Sequence, residues 1–409
     1  MSHVTGSVLN QKEKNDQCVA DAVIGAVRQI FGYGAVPLHR PVFGAADKAA
    51  VTACIDGNFV SSVGPRVDEF EEAISRYTGA AHAVAMTSGT AALHIALLVG
   101  GIKPGDEVIT QPLTFIAACN AIRYVGAWPL FIDNESTTLG LCPRALEWYL
   151  LQNAQRRGKA LFNKRTGRRI TACLPMHTFG LPSQIEEIIC VCEQFGVQVI
   201  EDAAEGLGSR VADRHVGTFG RMGVISFNGN KVITTGGGGM LLTNDALLAR
   251  RARHLSTTAR APHAYTIEHD ELGYNYRMPA LNAALGLAQM ARLPRILEIK
   301  RQVALRYKRL LAPHGISTLQ EQKQTCANYW LNAIIAQSRE QRDRILEATN
   351  KAGIMTRPAW QLMHRSKPHA MSVRGSLDTA EWLQERLINL PSSVPANVTK
   401  VTNESVHVN

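Results

Sequence analysis

Between residues 83 and 226 the chain alternates short apolar runs with helical patterns, and this alternation restricts its possible folds more than any other feature. The runs at 83–86, 107–110, 129–133, 170–176, 197–200 and 223–226 predict strands, and the segments 91–98, 114–124, 144–153 and 183–195 predict the helices between them. Such a pattern implies an α/β fold, with a mostly parallel sheet covered by helices on both faces. Ligands in sheets of this kind bind beyond the carboxyl ends of the strands. Ser88, Asp202 and Lys231 all follow predicted strands, so they are expected to converge on one rim. Helical patterning also covers 42–77, with a break at Gly64-Pro65, and beyond Met278 the pattern changes. There a long helix is expected over 279–310, a strand over 329–335 and a helix over 339–351. The division implied is a peripheral helix or arm over 1–35, a large α/β domain over 36–278 and a smaller α+β domain over 279–409.

Composition narrows the class. A chain of 409 residues with 45% hydrophobic and 19% charged residues can build a large core. The eight cysteines are scattered, with Cys190 and Cys192 as the one close pair. They read as small buried hydrophobes in a reducing compartment, with no metal site implied. Residues 1–16 are polar and carry no apolar signal core. The longest apolar stretch, 91–102, includes His94 and is too short to span a bilayer, which needs about 20 residues. A soluble cytoplasmic protein without a membrane partner is expected. The net charge of +10 is partly clustered at Arg156, Arg157, Lys159, Lys164, Arg165, Arg168 and Arg169. No aromatic interleaving or nucleic-acid motif accompanies that segment, so it reads as a solvated loop. A positive surface also attracts small anionic substrates.

The chemistry centres on two segments. Val199-Ile-Glu-Asp202 is an apolar strand ending in a carboxylate, and Ser226-Phe-Asn-Gly-Asn-Lys231 leads from a strand to a lysine ahead of four consecutive glycines, 236–239. A lysine can form a Schiff base with the aldehyde of pyridoxal phosphate (PLP), and a carboxylate can hold the pyridine nitrogen protonated so that the ring accepts electrons. Ser88-Gly89-Thr90 opens a helix, where free N–H groups and the helix dipole favour a phosphate. Ser226, five positions before Lys231, can reach the same phosphate, and Phe115 can stack on a flat ring.

Together these segments resemble the DegT/StrS family of PLP-dependent nucleotide-sugar aminotransferases over about residues 37–391. The resemblance rests on Ser88-Gly-Thr-Ala-Ala-Leu-His94, Pro104-Gly-Asp-Glu-Val108, Pro112-Leu-Thr-Phe115, Glu201-Asp-Ala-Ala204, Ser226-Phe-Asn-Gly-Asn-Lys231, Gly273-Tyr-Asn-Tyr-Arg-Met278 and Arg357-Pro-Ala-Trp360 with His364. It implies a fold-type-I homodimer with shared active sites, in which PLP cycles with pyridoxamine phosphate. Lys231 would carry the cofactor and move the proton, and Asp202 would pair with the ring nitrogen. Phe115 would stack on the ring and Glu205 would lie near its hydroxyl. Ser88, Gly89, Thr90 and Ser226 would hold the phosphate, joined by Asn275 from the neighbouring subunit. His177, Arg277, Trp360 and His364 would contact substrate.

Two positions depart from the family pattern. Glu205 stands where Gln is frequent, and Gly237 where Glu is frequent. An acid beside a phenolate-like oxygen must be protonated or turned away. The tetraglycine run, with Phe59-Val-Ser-Ser-Val-Gly64 and Trp360-Gln-Leu-Met-His364, is most similar to the branch acting on UDP-linked 4-keto-6-deoxy-N-acetylhexosamines in legionaminic-acid-type pathways. Glutamate is the amino donor implied, and a UDP- or dTDP-linked 4-ketosugar the acceptor. Two alternatives remain at this point. The family's sugar dehydratases carry His where this chain has Lys231. A PLP-binding regulatory protein without turnover would pair the fold with a DNA-binding region, and none is read in these residues.

Overall fold

The computed structural model describes residues 2–62, 64–263 and 265–395, with side chains from residue 16 onward. Residues 396–409, counted above with the smaller domain, lie outside the described residues. The strands in chain order are β1 (His82–Met86), β2 (Glu107–Thr110), β3 (Trp128–Phe131), β4 (Ala154–Arg157), β5 (Ala160–Asn163), β6 (Arg169–Leu174), β7 (Gln198–Asp202), β8 (Arg210–Val211), β9 (Arg214–His215), β10 (Met222–Ser226), β11 (Gly239–Thr243), β12 (Thr325–Cys326), β13 (Asn332–Ile335), β14 (Arg357–Pro358) and β15 (Leu387–Leu390). The α-helices are α1 (Ser2–Phe31), α2 (Ala45–Asp56), α3 (Pro65–Thr78), α4 (Gly89–Val99), α5 (Ile116–Tyr124), α6 (Pro143–Asn153), α7 (Ile185–Phe195), α8 (Ala246–Ser256), α9 (Ala280–Leu311), α10 (Arg339–Lys351) and α11 (Asp378–Gln384).

The main sheet runs in the order β1-β11-β10-β7-β6-β2-β3, with the hairpin β4–β5 attached to β6. The pairings from β10 through to β3 are parallel, while β11 runs antiparallel to both of its neighbours. The reason lies in the strand sequences. β2, β10 and β11 are buried at every position, as strands covered on both faces must be. Register sets up the rim. Met86 and Ser226 both pair with Gly239, and Val224 pairs with Asp202, so the segments after β1, β7 and β10 emerge side by side.

A smaller antiparallel sheet, β13-β15-β14, forms the second unit. α1 packs against α10 and α9. Val23, Val27 and Ile30 share a buried cluster with Tyr307, Ile345 and Ile388. α9 connects the two units. Ala283 near its start joins the core around Phe70 and Phe227, and Val303, Tyr307 and Leu311 near its end join the cluster of the smaller unit.

The structure corrects three readings. The basic segment 156–169 is a β-hairpin with a structured return, not a loop. Arg169 donates to Asp106 at 3.0 and 2.7 Å, and the guanidinium groups of Arg123 and Arg168 lie 3.8 and 4.4 Å from the ring centre of Trp128. The strand expected over 329–335 starts at Asn332, because Tyr329 has φ 49°, a left-handed conformation that no strand continues. β11 and α8 were not anticipated. The apolar run of β11 is short and follows four glycines, which masks it as a loop.

Candidate active site

Lys231 lies in a hydrogen-bonded loop that leaves β10 and returns toward β11. Phe227 accepts from the Thr235 N–H and the Thr234 hydroxyl at 3.0 Å each, and the Lys231 N–H donates to the Asn228 carbonyl at 3.0 Å. These bonds fix the stem of a side chain that is only 13% exposed. Its Nζ donates to Glu205 Oε1 at 3.1 Å and lies 4.0 Å from the ring centre of Trp330. Glu205 Oε2 accepts from the Phe179 N–H at 2.9 Å. Burial pushes the Glu205 carboxyl up to about 7, although the Lys231 charge and the Phe179 N–H pull the other way.

Asp202, at the end of β7, is buried, and its Oδ1 accepts from the Ala204 N–H at 3.1 Å. Burial raises its pKa, opposed by that N–H and by the positive charge of Lys231. A carboxylate in this position is stabilised by a cation placed directly against it, and a protonated pyridine nitrogen is such a cation.

At the end of β1, Ser88 caps α4, its Oγ accepting from the Ala91 N–H at 3.0 Å. That bond occupies the hydroxyl in capping. The N–H groups of Gly89 and Thr90 belong to the first helical turn, which has no acceptor within the helix. Only glycine fits at 89. A Cβ there would sit 2.9 Å from the Cβ of Ser226, so the residue lets the helix end and β10 close on one another. An anion is favoured at this point.

These groups line a single cavity of about 320 Å3. Ser88, Gly89, Thr90, Phe115, Asp202, Glu205, Ser226, Lys231 and Trp360 all face it. Phe115 and Trp360 form an aromatic wall with ring centres 6.0 Å apart. A buried carboxylate, a lysine and a helix N-terminus in one cavity of this size fit PLP. A larger groove of about 740 Å3 opens near Arg76, Arg210 and Asn244, at the opposite ends of the strands. It is a surface cleft whose Arg210 is engaged by the carbonyls of Tyr77 and Asp213, so the chemistry belongs to the smaller cavity.

Four expected residues lie off this cavity. His177 is fully buried behind Asp202. Its Nδ1 accepts from the Ser183 N–H at 3.1 Å, its Nε2 pairs with Glu201 at 3.0 Å, and its backbone N–H donates to the Asp202 carbonyl at 3.1 Å. It is therefore placed to support the strand end, without facing the pocket. His364 is buried 3.6 Å from Glu381 and packs on Phe131. Asn275 and Arg277 are exposed, held beside the pocket rim where Tyr276 accepts from the Thr87 N–H at 2.9 Å. Conversely, Asn228, Asn230 and Trp330 line the cavity without having been singled out. The two asparagines precede Lys231 within its own motif, which was the available signal.

A mostly parallel sheet with lysine, carboxylate and helix N-terminus at one rim defines a PLP-dependent aminotransferase of fold type I. The sequence profile of the DegT/DnrJ/EryC1/StrS aminotransferase family matches residues 41–406, and the chain belongs to that family. It is 37% identical over 328 residues to EpsN of Bacillus subtilis, named as a pyridoxal phosphate-dependent aminotransferase, covering 80% of this chain and 82% of that one. It is 34% identical over 357 residues to the GDP-perosamine synthase of Escherichia coli O157:H7, covering 87% and 93%. Among solved structures, the aminotransferase TlmJ of Streptoalloteichus hindustanus superposes with a TM-score of 0.79 at 28% identity, covering 87% of this chain and 93% of that one.

The Glu205 environment has a measurable consequence. The folded state keeps this carboxyl protonated up to about 7, against 4.5 as the ordinary value, so between these values it binds a proton that the unfolded chain has released. Stability of the cofactor-free protein is expected to be greatest below that window and to fall as pH rises through it, by on the order of 3 kcal/mol at most. Glu205→Gln should remove most of this slope. Urea unfolding of both proteins at about pH 5 and about pH 7.5 measures it. An identical slope in the variant would contradict the assignment.

Proposed function

We propose that the protein transfers an amino group, with glutamate as donor, to the 4-keto carbon of a nucleotide-linked 6-deoxysugar, within bacterial surface-polysaccharide synthesis in the cytoplasm. The observation that carries the reading is the Lys231–Glu205 pair beside Asp202 in a cavity with an anion-favouring helix end. When bound, PLP would supply an aldehyde carbon that takes up and returns the amino group and a ring that takes up the electrons of the bond being broken. The chain supplies the rest. Lys231 Nζ gives and takes the proton, oriented by Glu205 Oε1. Asp202 keeps positive charge on the ring nitrogen. The Gly89 and Thr90 N–H groups and Ser226 would hold the phosphate, and Phe115 and Trp360 would flank the ring. Retention of a lysine at 231 disfavours the dehydratase reading, and no observation favours a regulatory one. Among the described residues no helix is long and apolar enough to cross a membrane.

The tetraglycine run supports a UDP-linked N-acetylhexosamine as acceptor. Similarity to the GDP-perosamine synthase supports a second reading, a GDP-linked sugar. Enzyme, PLP and glutamate incubated with UDP-, GDP- and dTDP-linked 4-ketosugars separate the two, with products identified by mass. Conversion of an oxo to an amino group on the UDP sugar alone is expected. Conversion of the GDP sugar alone overturns the UDP reading, and conversion of none overturns sugar amination.

The site also needs a partner. Among the described residues lining the cavity Lys231 is the one cation, too few for a cofactor phosphate and an anionic substrate. Asn275 and Arg277 stand exposed beside its rim, and their exposure supports a role at the site of a second copy across a two-fold axis. Mixing two inactive variants, Lys231→Ala and Asn275→Ala/Arg277→Ala, puts both lesions into one site of each hybrid dimer and leaves the other intact. Activity is expected to recover to about a quarter of wild type under free subunit exchange. No recovery with exchange demonstrated would place these residues at their own chain's site.

A further inference from the structure

Trp330 belongs to the smaller unit, just ahead of β13, yet it meets the catalytic lysine in the large one. Its indole N–H donates to the carbonyl of Asn230, the residue before Lys231, at 2.6 Å. Its ring face lies 4.0 Å from Lys231 Nζ. One side chain thus holds both the backbone and the ammonium of that lysine. The Trp330 backbone is constrained in turn. Its N–H donates to Asn328 Oδ1 at 2.7 Å, and Asn328 Nδ2 donates to the carbonyls of Glu205 at 2.7 Å and Leu207 at 2.9 Å. Between them, Tyr329 sits at φ 49°, a conformation that a bulky residue keeps only where its surroundings enforce it.

The Trp330 carbonyl is held from behind by a buried amine. Lys300, on α9 and 1% exposed, donates to that carbonyl at 3.2 Å and to the Ser392 carbonyl at 2.7 Å, with His39 Nε2 at 3.1 Å. No carboxylate is among these contacts. Burying an amine without a counter-ion is costly, and an apolar side chain of similar length would pack here without that cost. The contacts that result hold two carbonyls, that of the tryptophan and that of Ser392.

We propose that Trp330 is a positioning residue for Lys231: its ring face stabilises positive charge on Nζ, and its N–H fixes the loop that carries the lysine. The charged and titratable groups around Nζ are Glu205, in direct contact, Asp202 on β7, and His39 and Lys300 behind Trp330. All four remain when Trp330 is replaced, so a change can be attributed to the ring. The inference rests on Lys231 as the cofactor-binding lysine.

The test is a pH titration of the visible absorbance of full-length, cofactor-loaded protein, which follows loss of the proton on the lysine–cofactor linkage. In Trp330→Leu the midpoint is expected to fall by about one pH unit, because a desolvated cation loses its aromatic face. In Trp330→Phe, whose ring attracts a cation less strongly than indole, it should fall by less. Thermal unfolding of each variant separates this from a packing defect. A lowered melting temperature with an unchanged midpoint overturns the proposal, and so does an unchanged midpoint in a normally stable variant. If Trp330→Leu does not accumulate as folded protein, Trp330→Phe decides alone, a lower midpoint supporting the proposal and an equal one overturning it. A different result, wild-type protein whose borohydride-fixed cofactor lies on another lysine, would instead remove the reading of Lys231 and this inference with it.

Discussion

Lys231, Glu205 and Asp202 bring a largely buried amine and two buried carboxyl groups to one cavity, and most of the architecture around them serves to make that arrangement stable. Buried charge is costly unless each group is paired and its remaining donors and acceptors are used. Here the amine has Glu205 and the face of Trp330, Glu205 has the Phe179 N–H, and Asp202 has the Ala204 N–H. Phe179 follows β6, Ala204 and Glu205 follow β7, and Trp330 comes from the segment ahead of β13. A parallel sheet with short connections delivers that convergence, since its strands all end on the same side.

The second unit closes the arrangement from outside. Asn328 reaches the backbone of Glu205, and its close fit explains a glycine. Gly180 has φ 87°, and a Cβ there would lie 1.8 Å from Asn328 Oδ1. α9 carries Lys300 into the junction and packs its first turns against Phe70 and Thr235, where Gly286 leaves room for the phenyl ring. Movement of the smaller unit relative to the sheet would therefore be felt directly at the lysine, through Trp330 and Asn328.

What the sequence displayed follows from how local each signal is. The strands β1, β2, β3, β6, β7 and β10 and the helices between them are written in short-range apolar patterns. Lys231, Asp202, Ser88 and Gly89 sit in motifs whose chemistry can be stated without knowing the fold. β11 was hidden because a five-residue buried strand behind four glycines has no alternation to display. The basic hairpin was hidden because its charges dominate the pattern, while its order comes from Asp106, Glu107 and Trp128 some tens of residues earlier. Trp330 was taken for part of a core strand. Its approach to Lys231 spans about a hundred positions of sequence, and no local pattern encodes such a contact. The histidines show the converse. His177 has the residue type of a substrate contact, but it spends both ring nitrogens on Ser183 and Glu201.

The central claim is that one lysine, Lys231, holds the cofactor. Reduction of the PLP-loaded protein with borohydride, followed by proteolysis and mass mapping of the phosphopyridoxyl group, addresses it directly. The account predicts a single modified peptide carrying the group on Lys231. A group fixed to any other lysine, or cofactor that dissociates unreduced from a folded protein, would contradict it.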